Sequence, residues 1–122
     1  MSEIKEIKVL RQKILLSEAK KYLGAPFEKM IKFAVDIERE IIAIGGEMHA
    51  DAEKILLEDG SKQENLWGAN LYPMQSEESR IEFTSLINIR PSADNLSLEI
   101  KNQEIRDKIR KIAEKLIQFE NE

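Results

Sequence analysis

The apolar repeat near the carboxyl end is the feature that most constrains how this chain folds. Its apolar residues recur at intervals of 4, 3, 4 and 3 positions: Ile105, Ile109, Ile112, Leu116 and Phe119. This spacing places them on one face of a helix, and Asn102 is a suitable N-cap because its side chain can accept from a first-turn N–H group. Such a helix has to bury its apolar face, so we expect it to pack against a sheet.

A first β-hairpin is predicted between Ile31 and Ile44. Every second residue is apolar as far as Ile37, which is the period of a strand with one solvated face. A short β-branched run follows, so the two runs predict a hairpin around Arg39. The alternative is one helix over residues 36–44, because three isoleucines there also have helical spacing.

A second hairpin is predicted from two apolar runs that flank a polar stretch. Residues 66–72 (LWGANLY) and 80–90 (RIEFTSLINIR) lie on either side of residues 74–79. Pro73 and Pro91 stand at the far ends of the two runs, where a missing backbone donor does no harm to the ladder. Both runs are therefore predicted to be strands.

Helical patterns over residues 11–23 and 47–57 complete the set of elements. The predicted order is α-β-β-α-β-β-α, and the spacing of Ile7 and Val9 adds a weak signal for a further N-terminal strand. Paired hairpins with segregated helices indicate an α+β fold, a two-layer sandwich with an antiparallel sheet of about four strands. The length of the chain predicts a single domain over residues 1–122.

Composition limits the cellular compartments and the classes of partner that we expect for this protein. The chain has no cysteine, which excludes a disulfide framework and thiolate chemistry. No apolar run approaches the roughly 18 residues of a membrane span, and no signal peptide is visible. We therefore expect a soluble protein in the cytoplasm of a prokaryote, with no membrane partner. Residues 36–64 carry nine acidic against three basic side chains, so we do not expect nucleic acid as a partner.

The stretch from Gly45 to Gly68 holds the only histidine and the only tryptophan of the chain. On a helix His49 shares a face with Glu53, and in irregular backbone it could instead converge with Asp51. Either pair could supply a general base or half of a metal site. The alternative is a hydrogen-bonded histidine in a solvated first turn.

The acidic side chains around this stretch offer oxygen ligands for a divalent cation such as magnesium or calcium. They are Asp36, Glu38, Glu40, Glu47, Asp51, Glu53, Glu58 and Asp59. Their spacing matches no calcium-binding loop, and the alternative is an ordinary solvated acidic face. The sequence identifies no cofactor and leaves open whether the protein binds a divalent metal.

Three polar residues interrupt the predicted second hairpin: Asn70, Asn88 and Arg90. If Tyr72 pairs with Ile81, then Asn88 lies opposite Asn65 and Arg90 lies opposite Gln63. This register predicts a polar cluster at the end of the sheet away from the turn, where Arg90 could grip a carboxylate or phosphate. The alternative is that the asparagines bond to backbone and Arg90 pairs with nearby acids.

Two further residues extend this predicted ligand site. Ser61 follows the helix of His49 and adds a hydroxyl, and Trp67 lies close to the cluster along its strand. Gly68 beside it leaves room either for a ligand or for a packed neighbour, and a core position for Trp67 is the alternative to a binding platform. The predicted ligand-binding residues are Ser61, Gln63, Trp67, Asn88 and Arg90.

The run GGEMHADAEKILLEDGSKQENLWGANLYP, followed by INIRPS and IRDKIRKIAEKL, resembles a small uncharacterised prokaryotic domain family over residues 30–116. The positions that carry the resemblance are Gly45, Gly46, Glu47, His49, Asp51, Glu53, Asp59, Gly60, Ser61, Trp67, Gly68, Asn88, Arg90 and Pro91. The resemblance implies membership and attaches no activity to these residues.

Two classes of function follow from the sequence. The favoured one is a small binding or interaction module whose polar cluster engages a protein or a small anionic ligand. The alternative is a metal-assisted hydrolase or transferase centred on His49 and its neighbouring carboxylates.

Overall fold

The chain forms a five-stranded antiparallel sheet and a separate pair of short parallel strands. A computed structural model describes residues 6–23 and 29–119. The strands are β1 (Ile7–Leu10), β2 (Ile14–Leu15), β3 (Ile31–Asp36), β4 (Ile41–Gly45), β5 (Leu66–Leu71), β6 (Ile81–Glu82) and β7 (Ile117–Gln118). The sheet has the order β1-β4-β3-β5-β6, whereas β2 pairs with β7 outside it.

The helices confirm the predicted α+β class. They are α1 (Leu16–Ala19), α2 (His49–Glu58) and α3 (Gln103–Leu116), with 3-10 turns at Lys20–Tyr22, Gln63–Asn65, Leu86–Asn88 and Pro91–Ala93. From α1 to α3 the larger elements follow the predicted order, and β1 is the additional N-terminal strand. The sheet has five strands rather than about four. In the two described ranges, no helix is long and apolar enough to cross a bilayer.

The hairpin of β3 and β4 is confirmed over the alternative of a single helix, since the two strands pair from Phe33↔Ile44 to Asp36↔Ile41. The buried Asp36 organises the turn, because its Oδ1 accepts hydrogen bonds of 2.9 Å from the backbone N–H groups of Glu38 and Arg39. The side chain thus satisfies two donors that the turn would otherwise leave unpaired.

Helices cover both faces of the sheet, so the expected solvated face of β3 is buried. One face carries Phe33 and Trp67 and packs against α3. The other face carries Ala34 and Ala43 and packs against α2 through Ala52. The small alanine side chains let the α2 backbone approach the sheet closely, and the sheet becomes a middle layer rather than half of a two-layer sandwich.

The second hairpin differs from the prediction in length and register. Strand β6 contains only Ile81 and Glu82, and Leu71 rather than Tyr72 pairs with Ile81. The predicted strand over residues 80–90 is therefore wrong beyond Glu82. Thr84 instead bridges to Glu99, and a 3-10 turn follows. The backbone of this segment does not pair with β5 beyond Glu82, because the side chains of Asn88 and Arg90 bond to the edge of β5 instead.

The predicted helix over residues 11–23 is shorter in the structure, because Ile14 and Leu15 form β2 and only the following residues are helical. The final helix agrees with its prediction as far as Leu116, whereas Phe119 lies beyond its end. Asn102 caps α3 by accepting from Ile105 N at 3.0 Å, and Ile109 is fully buried. The helix ends at Leu116 because the next two residues leave it to pair with β2.

Candidate functional site

The outer edge of β5 is closed by side chains instead of by a long neighbouring strand. Asn88 is fully buried, and its Oδ1 accepts from Gly68 N at 2.8 Å while its Nδ2 donates to Gly68 O at 2.9 Å and to Leu98 O at 3.1 Å. Its amide thus reproduces the donor and acceptor pattern of a pairing strand. Asn88 lies against Gly68 and not opposite Asn65, and both protons of its amide are used within the fold.

Gly68 makes room for a packed neighbour rather than for a ligand. A Cβ atom at this position would lie 2.7 Å from both Cβ and Oγ of Ser85, closer than such atoms approach in proteins. Ser85 is itself fixed, because its N–H donates to Leu98 O at 3.0 Å and its Oγ accepts from Ile87 N at 3.2 Å. The chain from Thr84 onward therefore crosses directly over β5.

Arg90 also bonds to the edge of β5. Its Nη2 donates to the backbone oxygens of Leu66 at 2.7 Å and Ile87 at 3.3 Å, and its Nη1 donates to Glu64 O at 3.4 Å. The guanidinium lies 4.6 Å from the centre of the Trp67 ring, a cation–π distance. Burial lowers the pKa of Arg90, and the negative charge of Glu53 acts in the opposite direction. Within the described residues Arg90 has no carboxylate ion-pair partner.

A cleft of about 500 Å³ opens beside this guanidinium. We call it the Arg90 cleft; it is lined by Glu53, Gln63, Glu64, Ile87, Ile89, Arg90, Pro91 and Ser92. The structure thus brings together three of the predicted ligand-binding residues, with Gln63 and Arg90 in the wall and Trp67 in contact with Arg90. Ser61 is not among them. Its Oγ accepts from Arg39 Nη1 at 2.9 Å, beside the Arg39–Asp59 ion pair.

His49 lies at the start of α2, over the sheet. Its side chain is buried, and its Nε2 lies 2.8 Å from the carbonyl oxygen of Ala69. A carbonyl oxygen only accepts, so Nε2 carries the proton and Nδ1 is the acceptor nitrogen of the neutral ring. Burial lowers the pKa of His49; the charge of Lys32 lowers it further, while the Ala69 carbonyl and the Asn70 side chain raise it. The imidazole is therefore neutral at pH 7.

A polar row runs across three strands beneath His49. Lys32, Asn70 and Glu82 are consecutive cross-strand neighbours. Asn70 Nδ2 donates to Glu82 Oε1 at 2.9 Å and to Thr84 O at 3.3 Å, whereas the buried Asn70 Oδ1 has no hydrogen-bond partner. Tyr72 also donates to Glu82 Oε1, at 3.1 Å. Sequence reasoning singled out Asn70 but missed the row, because cross-strand register decides which residues form it.

A pocket of about 270 Å³ lies between His49 and this row. We call it the His49 pocket; it is lined by Lys32, Met48, His49, Ala50, Asn70, Thr84, Ser85, Leu86, Ile87 and Leu98. Neither predicted carboxylate partner lines it, since Asp51 is exposed and Glu53 lies in the Arg90 cleft. In the part of the chain that the structure describes, no three metal-binding side chains cluster. Metal-assisted chemistry at His49 stays a prediction.

Comparison with known proteins adds a family and no activity. No curated protein and no solved structure matches the chain. A family described as "Protein of unknown function (DUF5674)" matches residues 8–116, which include all elements from β1 to α3 except the first residue of β1. The match covers well over half of the sequence and agrees with the resemblance noted from the GGEMH and INIRP segments. The chain therefore belongs to the DUF5674 family.

Proposed function

We propose that this protein is a small-ligand binding module and that the Arg90 cleft holds the anionic group of its ligand. The observation that carries the proposal is a charged guanidinium that faces a cleft without a carboxylate ion-pair partner among the described residues. A guanidinium has five N–H donors, and its contacts with three backbone oxygens use only part of them. The remaining donors suit a carboxylate or phosphate.

The position of the guanidinium supports binding because it is held in place before a ligand arrives. Three backbone oxygens and the Trp67 ring fix Arg90 in one orientation. A group ordered in advance loses less conformational entropy when it binds. Partial burial also strengthens its electrostatic attraction for an anion.

The remaining charges of the cleft narrow the class of ligand. Glu53 and Glu64 line the same walls, and they repel a ligand that carries only negative charge. A ligand that joins an anionic group to an amine complements both signs. We therefore infer a small zwitterion, of the amino-acid type, as the ligand of the Arg90 cleft.

Trp67 provides the test, because it is the only tryptophan and contacts Arg90. We expect a panel of α-amino acids to change Trp67 emission in a saturable way, and acetate and inorganic phosphate to do so more weakly. Arg90→Ala should abolish the change. Arg110→Ala is the matched control, since it removes an arginine of α3 that lies near another aromatic ring, that of Phe83.

If no amino acid changes Trp67 emission, or if folded Arg90→Ala binds as tightly as the wild type, the Arg90 cleft is not the binding site. Circular dichroism of each variant separates loss of binding from loss of folding.

A further inference from the structure

We propose that the His49 pocket is a second ligand site, which binds a small neutral molecule carrying a carboxamide or lactam group. Such a group offers an N–H donor and a carbonyl acceptor side by side. The inference goes beyond the proposed function, because the two sites have different ligands and share only Ile87 among their lining residues. It rests on the polar side chains that line the pocket and on its apolar rim.

The first of these atoms is the carbonyl oxygen of the Asn70 side chain. Asn70 is only 6% exposed, and its Oδ1 has no partner in hydrogen-bond geometry, although the side chain lies near enough to His49 to raise the pKa of the imidazole. Its amide orientation is fixed, because Nδ2 contacts two oxygens, Glu82 Oε1 and Thr84 O, that can only accept from it. Buried acceptors are nearly always satisfied in folded proteins. An N–H group of a ligand would satisfy this one.

His49 and Thr84 add further hydrogen-bond donors and acceptors to the pocket wall. The imidazole keeps Nδ1 as an acceptor because Nε2 donates to Ala69 O. A threonine hydroxyl donates as well as accepts. The start of α2 supplies donors too, since Met48 at the N-cap gives no side-chain acceptor to the first N–H groups of the helix. Donors and acceptors are thus both present, as an amide group requires.

The rest of the pocket favours a neutral, partly apolar ligand. Lys32 lines the pocket, and Glu82 carries the opposite charge on the other side of Asn70, so the attraction of Lys32 for an anion is partly offset. Met48, Leu86 and Leu98 form an apolar rim, and all three are exposed. At about 270 Å³ the pocket is slightly smaller than typical drug-sized sites, which begin at about 300 Å³, and it suits a ligand with one ring.

Benzamide and benzoate are the matched probes, because they share a ring and differ in the donor and the charge. His49 is the only histidine, so a change in the imidazole NMR signals reports this pocket without ambiguity. We expect benzamide to shift these signals saturably at about millimolar concentration, as the small number of atoms in the probe allows. Benzoate should bind at least about tenfold more weakly, because it lacks the N–H donor.

Variants locate the site and separate it from the Arg90 cleft. Asn70→Ala should weaken benzamide binding about tenfold by removing one hydrogen bond. Asn70 also bonds to Glu82, so Leu86→Ala is the second variant; Leu86 is 72% exposed and its loss should weaken binding without affecting the fold. Arg110→Ala, which changes a residue outside both sites, should leave benzamide binding unchanged.

The proposal is overturned if benzamide produces no saturable shift of the His49 signals, or if benzoate binds equally well. It is also overturned if folded Asn70→Ala and Leu86→Ala both bind benzamide as tightly as the wild type. Because amino-acid binding is read from Trp67 and benzamide binding from His49, failure of one site is distinguishable from failure of the other.

Discussion

The replacement Asn88→Ala tests whether one side chain closes the edge of β5. The change removes three hydrogen bonds at once, from Gly68 N and to the carbonyl oxygens of Gly68 and Leu98. Asn88 is fully buried, so these backbone groups lose their partner at a site from which water is excluded. The methyl group of alanine replaces none of the lost bonds.

The size of the effect follows from the cost of unpaired buried groups. Each such group costs about 1–3 kcal/mol, and partial relaxation of the 84–98 segment reduces the total, so we expect a loss of about 3–5 kcal/mol. In a chain of this length 1 kcal/mol corresponds to roughly 3–5 °C, which gives a fall in Tm of about 10–20 °C. That is a large part of the stability of an ordinary domain.

Thermal unfolding followed by circular dichroism measures the fall, and hydrogen exchange at Gly68 N reports its location. Asn65→Ala is the matched control, because it is the same substitution nearby and the Asn65 side chain makes none of the hydrogen bonds found in the described residues; its Tm should change by no more than about 2 °C. If Asn88→Ala melts within 3 °C of the wild type, with Gly68 N equally protected, the edge does not depend on this amide.

Two further predictions concern the core and the histidine. Ile109→Asp places an unpaired charge at a fully buried position of α3 and should cost several kcal/mol; an unchanged Tm would show that α3 is not packed on the sheet. The pKa of His49 is lower in the native state than its ordinary value of 6.5, so the unfolded chain takes up the proton first as the pH falls. Stability should therefore decrease from about pH 6.5 down to the native pKa, and this part of the pH dependence should disappear in His49→Gln.

The elements that sequence reasoning predicted correctly are those whose pattern is local. The apolar repeat of α3 predicts a helix with one buried face. The alternation of apolar residues after Ile31 predicts a strand, whichever strands lie beside it in the sheet. The strand beyond Glu82 was predicted wrongly because its apolar pattern suits a strand, while the Asn88 amide bonds to Gly68, 20 positions away. Nothing within the 80–90 segment itself signals that contact.

The candidate sites divide in the same way. Gln63, Trp67 and Arg90 were expected together and do lie together, because all three are placed by β5 and the segment that crosses its edge. The predicted partners of His49 do not meet it, since the imidazole turns toward Ala69 and the polar row. That row depends on the register of three strands, which no single segment determines.

The small parallel pairing of β2 with β7 has a consequence for how the chain folds. It joins Ile14 to Ile117, which are 103 positions apart in the sequence. Contacts across such a separation close a long loop and form late, because the entropy of the open loop has to be lost before the contact stabilises anything. Strand β2 thus gains its pairing partner only after α3 is complete. During synthesis, this pairing waits until Gln118 has been made.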